Sequence, residues 1–272
     1  MTFSSPTEPV CAKHTDRITY VVCQRCGAGI CPQCMIPAPV GFQCPNCVAQ
    51  ARGHIRSLAP SNPQLTLAIV ALCSGLQVLN TLSIGTSTGF LKEFGLVPVI
   101  IAVKGEYFRL LSSVFIHAGV FHIAMNMLML WILGRTLEPL LGRLRFGALF
   151  VLSGLGGAMA SYWLNDPMTA AVGASGAIFG LLGALFVLGR ERGTNTQEIT
   201  GIIGINLVLG FVIPGVDWHA HLGGLVVGAI AGWALIPSRN KAIQALVPLA
   251  LVAGLIALGD MRTAQILSTL QA

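Results

Sequence analysis

The chain has two textures. Up to about residue 62 it is polar and rich in cysteine; beyond that it is a succession of apolar runs separated by short polar or basic intervals. The runs fall at roughly 65–84, 115–134, 145–164, 170–189, 199–214, 218–236 and 242–259. A helix needs about 20 mainly apolar residues to cross the hydrocarbon layer. The pattern therefore predicts seven membrane spans, the fifth of them short. Residues 85–111 are too many for a tight turn. Their apolar pieces, 90–94 and 96–103, are too short to span, so an interfacial, partly embedded loop is expected there. Residues 50–64, with Arg52, Arg56, Pro60 and Pro63, read as a linker.

Composition supports the membrane reading. The 272 residues are 54% hydrophobic and 10% charged, with mean hydropathy +0.76, against about 25% charge in soluble domains. The expected fold class is all-α and polytopic. No basic stripe with interleaved aromatics is present, which argues against nucleic-acid binding. No apolar run follows a basic start in the first sixty residues, so a cleavable signal is not expected and targeting should rest on the first span.

The placement of charge matters more than the total of +6. Lys13, Arg17, Arg25, Arg52 and Arg56 precede the first span. Arg135, Arg143 and Arg145 follow the second, Arg190 and Arg192 the fourth, and Arg239 and Lys241 the sixth. The connections after spans 3 and 5 carry no Lys or Arg. Lys92, Lys104 and Arg109, after span 1, are the exception. The alternation places the N-terminus in the cytoplasm and the C-terminus outside, and a multi-pass protein of the cell membrane is expected.

Seven of the eight cysteines lie in the polar N-terminal stretch. Cys11-x-x-His14 is followed by Cys23-x-x-Cys26, Cys31-x-x-Cys34 and Cys44-x-x-Cys47. Two thiolates two residues apart can face one tetrahedral zinc ion, and four such arms imply two closed structural sites. A disulfide framework accounts less well for an odd number of cysteines whose fourth pair is completed by His14. Interleaving would join Cys11, His14, Cys31 and Cys34 at one metal and Cys23, Cys26, Cys44 and Cys47 at the other; sequential pairing is the alternative. The module is similar to the B-box class of zinc modules. Without metal so small a unit buries too little apolar surface to fold. With every position filled by protein, neither zinc can serve catalysis. A cytoplasmic protein partner is the natural use of such a module. Cys73, in the first span, reads as a packing residue.

With that orientation, polar residues gather near the outer ends of three spans. Ser175 lies in span 4, His221 in span 6, and His117, His122 and Asn126 in span 2. Polar groups inside a membrane are costly and usually functional. A lone serine or histidine in a glycine-rich span is more often a helix-packing residue; a serine and a histidine at one depth reverse that weighting. A serine nucleophile needs a base within hydrogen-bond reach, and His221 can take that proton and return it to a leaving amine. Gly176-x-x-x-Gly180 and Gly224-x-x-x-Gly228 would let the two spans approach closely. Phe179, one turn after Ser175, is placed to pack on the imidazole. No carboxylate shares the depth, since Asp217 sits at the loop, so a dyad is expected. His122 and Asn126, four apart on one helical face, can supply oxyanion donors beside the Ser175 N–H and the flanking Gly173. The string His122-Ile-Ala-Met-Asn126 lacks the glutamate of a zinc peptidase. His219 is expected to be a bystander.

Residues 105 to 236 resemble a rhomboid intramembrane serine protease. The strings that carry the resemblance are Gly105-Glu-Tyr-Phe-Arg109, HAGVFHIAMN (117–126), GASGAIFG (173–180) and AHLGGLVVG (220–228). The resemblance implies a six-helix core with one additional C-terminal helix, Ser175 as nucleophile, His221 as base, and His122 and Asn126 at the oxyanion. Arg109 matches the arginine of the family's Trp-Arg motif, with Tyr107 and Phe108 before it. The expected domains are a zinc module (1–50), a linker (51–64), the six-helix core (65–240) and the additional helix with its tail (241–272). The implied activity is cleavage of a transmembrane client protein near the outer surface of the lipid bilayer, with no catalytic cofactor. A catalytically idle escort of the same fold is the runner-up. A channel would carry its polar groups across the whole membrane, whereas here they stop in the outer third.

Overall fold

A computed structural model describes residues 8–37, 41–49, 63–82, 89–213 and 215–272, in two compact units that divide after Ser61. Most of the expected linker, residues 50–62, lies outside the described residues, as do the last two residues of the expected first span (83–84) and residues 85–88 of the expected loop.

The first unit has little regular structure. A 3₁₀ turn covers Pro32–Cys34, and strands β1 (Ile36–Pro37) and β2 (Phe42–Gln43) pair antiparallel with Ile36 opposite Gln43. Its core is Cys11, Cys23, Cys31, Cys34 and Cys47 around a single aliphatic residue, Ile30. A core made almost wholly of thiols supplies little apolar burial.

The second unit is helical: α1 (Gln64–Leu82), α2 (Gly89–Phe94), α3 (Pro98–Lys104), α4 (Arg109–Ser112), α5 (Val120–Leu141), α6 (Arg143–Leu164), α7 (Ser175–Glu191), α8 (Gln197–Val212), α9 (Trp218–Ala234) and α10 (Lys241–Gln271). Among the described residues, α1, α5, α6 and α10 are long and apolar enough by themselves to cross a membrane. α7 and α9 have 17 residues and α8 has 16. This is an integral membrane protein of the all-α polytopic class.

The centre is a close bundle of α6, α7 and α9, and glycine makes it possible. A Cβ added to Gly157 would lie 2.8 Å from the Ala220 carbonyl oxygen and 3.1 Å from the Gly176 Cα. Added to Gly224 or Gly228, it would collide with the backbone of Gly176 or Gly180. The two small-residue faces read from the sequence therefore meet each other. α5 adds a seam of Leu130, Leu133, Leu137 and Leu141 to the main core, which also encloses Cys73. Buried Glu138 on α5 caps the start of α1: its carboxylate accepts the N–H groups of Leu65 (2.9 Å) and Thr66 (2.7 Å) and the Thr66 hydroxyl (2.7 Å).

Three expected spans change a limit by more than two residues. The second begins at Val120, because 113–119 form a 3₁₀ turn and a bend that swing His117 inward, and it runs through Pro139 to Leu141. The fourth begins at Ser175, because Ala171 exchanges two backbone hydrogen bonds with Leu96 (3.0 and 2.9 Å) and holds the preceding segment extended. The seventh continues twelve residues past the expected end at 259, reaching Gln271. The loop after α1 contains the short helices α2, α3 and α4. Arg109, 3% exposed, pins it by donating to the carbonyls of Lys92 (2.7 Å) and Gly95 (3.0 Å) and to Glu106 (2.6 Å).

Candidate active site and metal centres

Ser175 is the first residue of α7, half-buried, at the end of an extended segment. Gly173 makes that segment possible. Its φ of +123° is a backbone state that side chains disfavour, and its N–H donates to the Ser113 carbonyl (2.9 Å). The Ala174 N–H points at His117 Nε2 (3.5 Å). His117 is thus a buried support beneath the turn that delivers the serine.

The other face is supplied by α9. Gly176 packs against the Ala220 carbonyl, one residue before His221. The His221 ring, 7% exposed, lies flat on Phe179 with centroids 4.1 Å apart and planes within 10°. That stacking fixes the plane of the imidazole without a carboxylate. Among the described residues its buried Nδ1 has no hydrogen-bond partner, and no hydrogen bond joins Ser175 to His221. Asp217 is occupied elsewhere. It caps α9 through the Ala220 N–H (3.1 Å) and accepts from Ser161 (2.5 Å) and Asn165 (2.9 Å). His219 Nδ1 contacts Asn165 Oδ1 at 2.6 Å, away from His221.

The third face comes from α5. The Ala118 N–H approaches His122 Nδ1 (3.4 Å), which leaves the proton on Nε2. The Nε2 edge lies over Gly173, where an added Cβ would be 2.7 Å away. Asn126, 6% exposed, donates one N–H of its amide to the His122 carbonyl (2.8 Å), keeping the second N–H available. His117 and His122 meet edge to face at 5.1 Å. Ser113 and Asp217 are site-supporting residues that the sequence reading left without such a role. An aspartate three residues before Ala220 at the start of an apolar run is an N-cap signal; the Ser113 carbonyl has no sequence signal.

In the first unit the ligand atoms of Cys11, His14, Cys31 and Cys34 lie within 4.8 Å of one another, and so do those of Cys23, Cys26, Cys44 and Cys47. The interleaved arrangement holds and the sequential one does not. His14 Nδ1 is 3.4 Å from Cys31 Sγ and 3.3 Å from Cys34 Sγ, and Cys26 Sγ is 3.8 Å from Cys44 Sγ. A tetrahedral ion with Zn–S bonds of about 2.3 Å requires donor separations of about 3.8 Å, so the donor sets fit. Ionisation also divides within each set. Backbone hydrogen bonding at Cys31 and Cys44 lowers the Cys11 and Cys23 thiols to about 6. Burial raises Cys34 to about 11, and the contact with Cys44 together with burial raises Cys47 to about 12. The three thiols around His14, and the four of the other set, cannot all ionise unless a cation sits among them.

Residues 104–238 match the family model described as Rhomboid domain. RHOMBOID-like protein 5 of Arabidopsis thaliana is 35% identical over 187 residues, covering 65% of this chain and 60% of that protein. Rhomboid protease GluP of Bacillus subtilis is 37% identical over 184 residues, covering 65% and 35%. Rhomboid-type serine protease 2 of Emericella nidulans is 33% identical over 142 residues, covering 50% and 28%. The matched stretch thus spans at most 60% of these relatives' own lengths.

Proposed function

This chain carries a rhomboid domain at residues 104–238, and on that premise we propose that it is an intramembrane serine endopeptidase acting on transmembrane-anchored clients near the outer surface. The observation that carries the reading is the apposition of α7 and α9. Gly176 sits against the Ala220 carbonyl and His221 is stacked on Phe179, so the residues flanking the serine and the histidine are already in contact.

In this mechanism the Ser175 hydroxyl attacks the scissile carbonyl while His221 takes its proton. The negative charge that develops on the carbonyl oxygen meets donors aimed at that position rather than at the ground state. These are the Ser175 N–H, the His122 Nε2–H and the free N–H of Asn126. Gly173, bare of a side chain, leaves room for the His122 edge. Collapse returns the proton from His221 to the leaving amine, and water then releases the acyl group by the same route. The serine–histidine hydrogen bond closes as substrate binds, since such contacts are often long in free enzymes.

The missing hydrogen bond is also what favours the second reading, an idle member of the fold that binds and escorts clients. One experiment separates the two: turnover of a fluorogenic transmembrane substrate by wild type, Ser175→Ala and His221→Ala, with covalent labelling by a mechanism-based serine reagent. Protease function predicts labelling of wild type and a loss of at least about 10³-fold in both variants, as for other serine catalytic pairs. Equal turnover in all three, or no labelling of wild type, would assign the idle role.

The first unit is read as a structural two-zinc module on the cytoplasmic side that binds a protein partner. When bound, the ions supply cross-links and no chemistry on the substrate. Metal analysis of the purified chain should return two zinc per molecule, and a protease-protection assay should place the N-terminus inside. Loss of turnover on every substrate after deletion of residues 1–60, with the helical unit still folded, would contradict the accessory role.

A further inference from the structure

The last helix looks at first like a membrane filler. Along its 31 residues only Gly259 and Ile266 are buried. Both lie in its second half, and the polar bonds of that half reach inward to the loop and to α6. The Thr263 hydroxyl is forked between the Tyr107 hydroxyl (2.8 Å) and the Tyr162 hydroxyl (2.7 Å). One turn away, the Leu258 carbonyl accepts the Trp163 indole N–H (3.0 Å), and Arg262 donates to the Tyr162 carbonyl (3.1 Å). Ile266 is 3% exposed and belongs to a second hydrophobic core, separate from that of the main bundle, with Leu96, Ile101, Ala102 and Leu110 of the loop and Met159 and Tyr162 of α6.

That core leads to the nucleophile by an unbroken path. Leu96, 1% exposed, exchanges both backbone hydrogen bonds with Ala171, four residues before Ser175. A Cβ on neighbouring Gly95 would be 3.2 Å from Val172. The Gly95 carbonyl is held by Arg109, and the Gly173 N–H by Ser113. The segment 169–174 therefore has the loop on one side, and the loop has α10 behind it.

We propose that Thr263 is a positioning residue for the proteolytic reaction. By fastening Tyr107 and Tyr162 together, α10 fixes the loop that pairs with residues 169–174 and so sets where Ser175 enters α7. The inference rests on Ser175 being the nucleophile, but the placement of 169–174 can be read without catalysis. A threonine that only secured helix packing would affect stability and leave the turnover of folded enzyme alone.

The test uses the full chain in bilayers, with Thr263→Val (isosteric, no hydroxyl), Thr263→Ser (hydroxyl restored) and Tyr107→Phe, which removes one arm of the fork. Three quantities are measured: kcat and KM for a fluorogenic transmembrane substrate, the rate of Ser175 labelling by a fluorophosphonate, and amide exchange over 169–174. Thr263→Val should lower kcat and labelling about five- to tenfold, the rate equivalent of one lost neutral hydrogen bond. KM should stay within about twofold of wild type, since a fastening that acts only on the reacting serine leaves client binding uniform. Exchange at Ala171 should accelerate, Tyr107→Phe should reproduce part of each change, and Thr263→Ser should restore all three. Unchanged exchange at 169–174 in Thr263→Val overturns the proposal whatever the activity. Faster exchange with unchanged labelling and kcat overturns its catalytic half. If wild type itself is not labelled, the nucleophile assignment fails, while exchange still decides whether Thr263 holds the segment.

Discussion

Helices α7 and α8 are nearly equal in length and both are apolar, yet they are held differently. Eleven of the 17 residues of α7 are buried, whereas in α8 only Gly210 is. Glycine content does not explain the contrast. Gly176, Gly180 and Gly183 on α7 each face a neighbouring backbone, while Gly201 and Gly204 on α8 face nothing within 4 Å. Between helices in lipid there is no hydrophobic drive, and association depends on close packing and polar contacts. A small residue therefore tightens a helix only where another small residue is aligned against it. Ser175 rides on the helix that has such partners. On the neighbouring α8 the one buried residue is Gly210, beside Trp218 and His221, and Ile203 packs partly buried against the main core. Ser175 is thus placed by close packing, while beside His221 lies a helix with one buried residue.

The strongest way to break this contrast is Gly224→Ala. The new methyl would collide with the Gly176 backbone, and neither backbone can move without opening the α7–α9 seam. A loss of about 3 kcal/mol is expected, the upper range for forced overpacking, together with loss of turnover. Unfolding in mixed micelles measures the first and a fluorogenic substrate the second. If Gly224→Ala unfolds like wild type, the close seam is not what organises the site.

His122→Ala comes next. Turnover should fall by about 10²-fold, the usual cost of one oxyanion donor, with little change in stability, because the ring is half-buried and lies against a glycine. Unfolding equal in size to the activity loss would make His122 a packing residue. Glu138→Gln tests the other end of the bundle. The buried carboxylate holds three donors at the start of α1. Exchanging it for an amide should cost about 2 kcal/mol, the range for hydrogen bonds to a charged group, and leave the turnover of folded enzyme unchanged.

Much of this was legible in the sequence, for local reasons. The Cys-x-x-Cys arms specify their own geometry. The glycine spacings on α7 and α9 announce matching faces. Hydropathy and charge alternation group Ser175, His221, His122 and Asn126 at the same ends of their expected spans. What escaped depends on residues far apart in the chain. Ser175 opens its helix because Ala171 pairs with Leu96, 75 positions earlier. The end of α1 that faces Glu138 is set by a carboxylate 72 residues later. α10 outruns its apolar stretch because Thr263 and Ile266 find partners in a loop more than 150 residues earlier. Hydropathy ends the span at residue 259 and has no means of reporting those contacts.

The smallest effect is the most discriminating, because it uses the same chemical change with the opposite sign. Gly204→Ala on α8 places a methyl where nothing lies within 4 Å. The substitution removes backbone freedom from the unfolded chain and meets no steric resistance, so it should stabilise the helix by about 0.5–1 kcal/mol. Set beside Gly224→Ala, it asks whether α8 is loose because its glycines are flexible or because they have no partner. If partner alignment governs, Gly204→Ala raises the unfolding midpoint slightly and leaves kcat and KM for a transmembrane substrate near wild type. If internal flexibility of α8 is itself what admits a client, the stiffer helix gains the same stability but its KM rises. A destabilised Gly204→Ala would mean that α8 packs against a surface there after all, and the contrast with α7 would fall.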